Sequence, residues 1–257
     1  MIRTILLKRS LRNPQAQLTP VVYSMGKVAT SAISGAMQRA GLPVHHIHTL
    51  DERKLLASAK RSIDQGDFPA PHICESMSWR GRLFTHPDKC LYISLVRDPI
   101  ARNLSAFFEN IKNFLGPDYA ERPPKQILDI FLTKYNHQGP LTWFDREFKA
   151  QLGIDVYATP FDKKAKYVRL QGSNTLIFRA DCPDDVVARI LSESLGQRIL
   201  VTPENVSATK AYGDTYKQIK AIARFAPKFL DTMYDTDFVR HFWTEEEINT
   251  FREQWRA

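Results

Sequence analysis

Residues 20–33 read PVVYSMGKVATSAI, and the way this stretch divides decides the fold. PVVYSM (20–25) is short, apolar and rich in β-formers, the composition of a buried parallel strand. From Thr30 onward, Ile33, Ala36, Met37 and Ala40 recur at helical spacing, and Gly41 with Pro43 just beyond supplies a stop. The six residues between, GKVATS (26–31), therefore sit where a strand hands over to a helix. Backbone N–H groups at such a junction lack intrahelical partners and the helix dipole is positive there, so an anion is favoured. Lys27 adds a full charge. Thr30 and Ser31 add hydroxyl donors, while Gly26 and Ala29 have little or no side chain and let a phosphate approach the backbone around Val28. The spacing is not that of a Walker A loop, in which the Gly-Lys pair comes last and Ser or Thr follows the lysine.

Outward from this loop, short apolar runs alternate with helical patterns, the signature of an α/β domain with a mainly parallel central sheet flanked by helices. VHHIHTL (44–50) reads as a second strand and ERKLLASAKRSI (52–63) as a basic helix. CLYISLVR (90–97) is the strongest strand in the chain. It runs into Asp98-Pro99, an N-cap followed by proline at the first helical position, and the next helix buries Ile100, Leu104, Phe107, Phe108 and Ile111. KQILDIFLTKY and WFDREFKAQLG read as helices, the latter closed by Gly153. KYVRLQGSNTLIFR reads as two strands joined at Gly172-Ser173-Asn174 or by a longer crossing connection, and DDVVARILSESLG as an amphipathic helix stopped by Gly196. In the tail, TYKQIKAIARFAPKFLDTMY (215–234) and TEEEINTFREQW (244–255) read as helical, with a capping-box pattern at Thr244 and Glu247. No repeat or linker interrupts the chain, so a single domain over 1–257 is expected.

The whole-chain numbers set the partner class. The 257 residues carry a net charge of +8, which favours an anionic partner: a nucleotide, a nucleic acid, an acidic glycan or a membrane surface. No apolar run approaches the roughly 20 residues of a spanning helix, and MIRTILLKRSLRNPQ lacks the apolar stretch and cleavage site of a secretory signal. Three cysteines (Cys74, Cys90, Cys182), with no CxxC spacing, fit reduced thiols in a cytoplasm. His45, His46 and His48 lie close together, but His46 and His48 share one face of a strand while His45 points away. A metal there needs a third ligand, and none is expected.

A second motif bears on the first. In LVRDPIARNLSAFF (95–108), Arg97 ends a buried strand and Ser105 follows eight residues later. Strand C-termini in an open parallel sheet face one ligand crevice, and an arginine there suits bidentate phosphate binding.

The two motifs together resemble those of the PAPS-dependent sulfotransferases, whose 5′-phosphosulfate loop has a PKSGTT-like form. Their 3′-phosphate motif is a strand-end arginine with a serine eight residues on. GKVATS matches at Lys27, Thr30 and Ser31, with Ala29 in place of the family glycine; RDPIARNLS matches at Arg97 and Ser105. The resemblance implies a P-loop-like three-layer fold and sulfuryl transfer without a metal from PAPS, leaving PAP. It implies Gly26, Lys27, Val28, Ala29, Thr30 and Ser31 on the 5′-phosphosulfate, and Arg97 and Ser105 on the 3′-phosphate. A late loop closes over the 3′-phosphate in this superfamily, a role open here to Ser207, Lys210 and Tyr212. A looser similarity joins WFDREFKAQLGIDVYATPFD (143–162) and NVSATKAYGDTYKQIK (205–220) to a bacterial capsular polysaccharide synthesis group named for an NKWYS motif. Lys210 and Tyr212 are kept there, while Ala211 and Gly213 replace the tryptophan and serine. The group's name suggests a glycan or glycolipid acceptor offering a hydroxyl or amine.

Lys27 is the residue expected to neutralise the leaving oxygen. Three residues compete as general base. Glycan sulfotransferases of the 2-O type carry a histidine pair before the arginine strand; counting back from Tyr92 places Glu75 at the second of those histidines and His72 near the first. His48, at the end of the second strand, is the third, and the order of preference is Glu75, then His72, then His48. Trp79, Trp143 and Tyr157 suit either an adenine or acceptor cleft or the core. Two other readings stay open on sequence alone: a nucleotide kinase, with Asp98 drafted for Mg²⁺, and a non-catalytic basic module for nucleic acid or anionic glycan.

Overall fold

The computed structural model describes residues 18–202 and 211–257. In chain order the regular elements are β1 (Thr19–Tyr23), α1 (Thr30–Arg39), β2 (His45–Ile47), α2 (Glu52–Asp64), α3 (Pro71–Thr85), β3 (Cys90–Val96), α4 (Pro99–Glu109), α5 (Ile111–Leu115) and α6 (Pro124–Lys134). A π-helical stretch, Asp145–Lys149, runs into the single turn α7 (Ala150–Leu152). Then come β4 (Tyr167–Arg169), β5 (Thr175–Arg179), α8 (Asp184–Leu195), α9 (Gly213–Ile222), α10 (Pro227–Tyr234), α11 (Asp237–Phe242) and α12 (Glu245–Trp255). These residues fall into two compact units. Residues up to Val96 with 143–202 form the first, and residues 97–142 with 211–257 the second.

The first unit is α/β. Its five strands lie in the order β2-β1-β3-β5-β4, with β1/β2, β1/β3 and β3/β5 parallel and β4/β5 antiparallel. Every residue of β1 and β3 is buried, which is why CLYISLV reads as continuous apolar sequence rather than as an alternation. The hairpin predicted at Gly172–Asn174 is present as β4/β5, with Gly172 in the left-handed region at φ 74°. Gly153 and Gly196, at φ 69° and 62°, close α7 and α8 as expected.

The chain steps from β1 outward to β2 and returns to the other side of β1 for β3. The strand order thus reverses between β1 and β3, and ligands of open α/β sheets bind outside the strand ends at such a switch point. The loop after β1 begins there. The Ser24 hydroxyl donates to the Leu95 carbonyl of β3 (3.2 Å) and accepts from the Leu95 N–H (3.1 Å), so the loop is tied at its root to the neighbouring strand.

The second unit is helical among its described residues. Asp98 caps α4 as predicted, accepting from the N–H groups of Ile100 and Ala101 at 3.1 and 3.2 Å, with Pro99 at the first position. It also accepts from Tyr234 Oη at 2.8 Å and Trp255 Nε1 at 3.0 Å. One buried carboxylate therefore joins the start of α4 to α10 and α12. Burial pushes the Asp98 carboxyl up, and these four donors oppose that shift. The Thr244–Glu247 capping box is formed.

Candidate active site

The GKVATS loop leaves β1 and enters α1 through an unusual backbone. Lys27 and Ala29 both lie in the left-handed region, at φ 72° and 69°, and Val28 between them is fully buried. Left-handed φ costs a non-glycine residue about 1–2 kcal/mol, so two such residues use a sizeable part of the ~5–15 kcal/mol that stabilises a domain. The Val28 anchor holds the turn against that cost. Backbone of this kind clusters where a ligand is gripped, and alternation of backbone hand turns successive N–H groups toward one concavity. Ala29 adopts a left-handed backbone of the kind glycine takes most readily. It stands at the N-cap of α1 without a side-chain capping bond.

The backbone at Gly26 has room beside it: a Cβ built there meets nothing within 4 Å. Lys27 is half-buried and Ser31 exposed. Thr30 is buried, with 5% of its surface exposed.

The three base candidates come together along the edge formed by β2 and α3. The sequence reading assigns no element to 71–85; helix α3 there carries His72 and Glu75 one turn apart. Glu75 Oε1 accepts from Nδ1 of the buried His45 at 2.9 Å, and the His45 ring packs on Trp79 with centroids 4.0 Å apart. The exposed His72 has its ring 5.7 Å from that of His48. His46 and His48 share a face as predicted, their rings 4.7 Å apart. Burial, with His48 and His72 beside it, pushes the His46 imidazole from 6.5 down to about 4. Its Nε2 is buried with no partner. Among the described residues no group of three His, Cys, Asp or Glu side chains could hold a metal ion.

His48 is the most firmly held of the three. Its Nδ1 lies 2.7 Å from the Ser24 carbonyl oxygen. A carbonyl only accepts, so Nδ1 carries the proton, and in the neutral ring the lone pair is on Nε2. The His48 carbonyl accepts from Trp143 Nε1 at 3.2 Å. Trp143 and Trp79 are both buried, so of their two sequence readings the core one holds. Tyr157 is half-buried.

The largest feature that sequence reasoning missed is Glu147. This carboxylate is 1% exposed and sits on the π-helical stretch. It accepts from Tyr23 Oη (2.7 Å), Thr49 Oγ1 (2.8 Å), the Leu50 N–H (2.9 Å) and Lys54 Nζ (3.0 Å). One signal was available. Glu147 follows Trp143 by four residues and Phe144 by three, the spacing that puts a carboxylate on the apolar face of a helix.

In the second unit, Arg97 is half-buried and Ser105 is buried on α4. Tyr212 donates its hydroxyl to Glu109, and its ring packs against Phe108. Burial, reinforced by Glu109, pushes the Tyr212 phenol up. Ser207 and Lys210 lie outside the described residues.

No described helix is long and apolar enough to cross a membrane. No curated protein and no solved structure matches the chain. The model of one family, described as "Putative capsular polysaccharide synthesis protein" and named NKWYS, matches residues 124–244, a span that contains Trp143, Glu147 and Tyr212 but not the GKVATS loop.

Proposed function

We propose that this chain is a P-loop-like sulfotransferase that moves the sulfuryl group of PAPS to a hydroxyl or amine of a glycan or glycolipid acceptor. One observation carries the reading: the backbone of Lys27–Ala29, left-handed at both ends around a buried Val28, opens onto the start of α1 at the switch point of the sheet. That arrangement suits a compact, multiply charged anion. The match to a capsular polysaccharide synthesis family supports a carbohydrate acceptor.

In this reading the bond between sulfur and the bridging phosphate oxygen breaks as the acceptor oxygen bonds to sulfur. Lys27 and the N–H groups at the start of α1 meet the charge that develops on the departing oxygen. The acceptor proton passes to a base. His48 suits that role best, because its Nδ1 bond to Ser24 leaves the lone pair on Nε2. Glu75 is engaged by His45, and His72 stands exposed beside His48 as the second choice. Arg97 and Ser105 keep the assignment their motif implies, to the 3′-phosphate of the donor. The kinase alternative loses its metal carboxylate, since Asp98 is occupied by four donors.

Calorimetry with PAP and with ATP, each with and without Mg²⁺, tests the class. PAP binding that needs no metal and exceeds ATP binding supports the reading. Binding of ATP alone, dependent on Mg²⁺, restores the kinase.

A further inference from the structure

Glu147 is a costly residue to bury. A carboxylate withdrawn from water loses several kcal/mol of hydration unless its acceptor sites are filled. Here four donors fill them, and only one, Lys54, is a cation. An apolar side chain would serve packing alone, so the carboxylate is best explained by what its donors fix. Tyr23 is the last residue of the strand that feeds the GKVATS loop. Thr49 and Leu50 are the two residues directly after His48. Trp143, four residues before Glu147, donates to the carbonyl of His48 itself. The segment 143–147 thus holds the His48 carbonyl through Trp143, and the Thr49 hydroxyl and the Leu50 N–H through Glu147. Its π-helical turn is the kind of local insertion that recurs at functional sites.

We infer that Glu147 is a positioning residue: with Trp143 it clamps the turn 48–50 so that His48 Nδ1 meets the Ser24 carbonyl and Nε2 is kept as the basic atom. What that atom does rests on the sulfotransferase reading; the clamp and its effect on the ring do not. Glu147 touches neither donor nor acceptor and acts only through His48. The same carboxylate ties the end of β1 to the turn after β2, so the anion loop and the base are referred to a common point. A displacement of about 1 Å in such a group lowers turnover by about a hundredfold, which gives a fixed reference its value.

The test is made on the full chain with ¹⁵N-labelled histidine, reading the His48 tautomer from long-range proton–nitrogen correlations assigned with His48→Gln. Wild type is expected to show the proton on Nδ1. Thr49→Val and Trp143→Phe each remove one bond on the His48 side, and both should move the His48 signals toward a mixture of tautomers. Tyr23→Phe removes one bond to the same carboxylate on the β1 side. It should lower the melting temperature comparably while leaving the His48 signals in place. In a sulfuryl-transfer assay, Thr49→Val should lose about tenfold in kcat, with KM for the donor within about twofold. Unchanged His48 signals in both Thr49→Val and Trp143→Phe would overturn the inference, as would an equal change in Tyr23→Phe. The tautomer readout needs no nucleotide. Failure of PAP to bind would remove the sulfotransferase reading and leave the clamp standing.

Discussion

The imidazole of His48 donates from Nδ1 to the backbone carbonyl of Ser24 across 2.7 Å, joining the turn after the second strand to the root of the loop after the first. Ser24 is also fixed to β3 through Leu95. A base candidate and the loop proposed to bind the donor, which lie apart in sequence, therefore share one support. The hydrogen bond selects the nitrogen of His48 that carries the lone pair.

The open face of Gly26 makes a prediction that separates folding from binding. Its φ lies outside the left-handed region and no atom lies within 4 Å of an added Cβ. Gly26→Ala should melt within about 1 °C of wild type, a negligible shift for a domain. If a phosphate packs on that backbone, the methyl group obstructs it, and PAP affinity should fall about tenfold or more. Differential scanning fluorimetry with and without PAP reads both quantities.

Ala29 carries a conformational cost that glycine would not. Ala29→Gly removes the left-handed penalty but adds unfolded-state entropy, so urea unfolding should show a change within about 1 kcal/mol, in the stabilising direction. Ala29→Val puts a β-branched side chain at φ 69° and should lose about 2 kcal/mol. A harmless Ala29→Val would mean that the backbone there is not left-handed.

His46 makes the stability of the chain depend on pH. Its imidazole is pushed from 6.5 down to about 4 by burial and by His48 and His72. The unfolded chain therefore binds more protons between those values. By linkage, stability rises with pH across that window, and what is lost on acidification is at most about 3 kcal/mol. His46→Gln should flatten the profile between pH 4 and 6.5, checked by urea midpoints at half-unit steps.

Asp98 holds four donors in the helical unit. Asp98→Ala leaves Tyr234 Oη, Trp255 Nε1 and two backbone N–H groups unpaired and should cost about 3 kcal/mol or more, whereas Tyr234→Phe should cost about 1–2 kcal/mol. Denaturant unfolding of the two variants distinguishes a shared hub from a simple helix cap.

The parts of the fold that could be read in advance are those with local causes. The runs PVVY and CLYISLV are strands because both of their faces are buried, and apolar continuity is the local record of that. Asp98-Pro99 and Thr244–Glu247 start helices through their own side chains, and Gly153 and Gly196 end them through backbone freedom. Other features have distant causes. The stretch 215–234, read as one helical segment, is two helices with a restart at Pro227, and Asp237–Phe242 is a further helix between the two segments that the sequence marked. Within the candidate site, GKVATS was legible as a loop between a strand and a helix, but its left-handed lysine was not, because that backbone goes with the burial of Val28 in tertiary packing. The hub at Glu147 was hidden for the same reason. Its four donors come from residues 23, 49, 50 and 54, and a π-helix has no sequence period to betray it.

Whether the loop at Lys27 binds the donor nucleotide is decided by titrating PAP into wild type and Lys27→Ala with EDTA present. Metal-independent binding to wild type is expected, with a loss of about tenfold or more in Lys27→Ala. Wild type that fails to bind PAP, or Lys27→Ala that binds it equally well, would remove the donor-binding role of the loop.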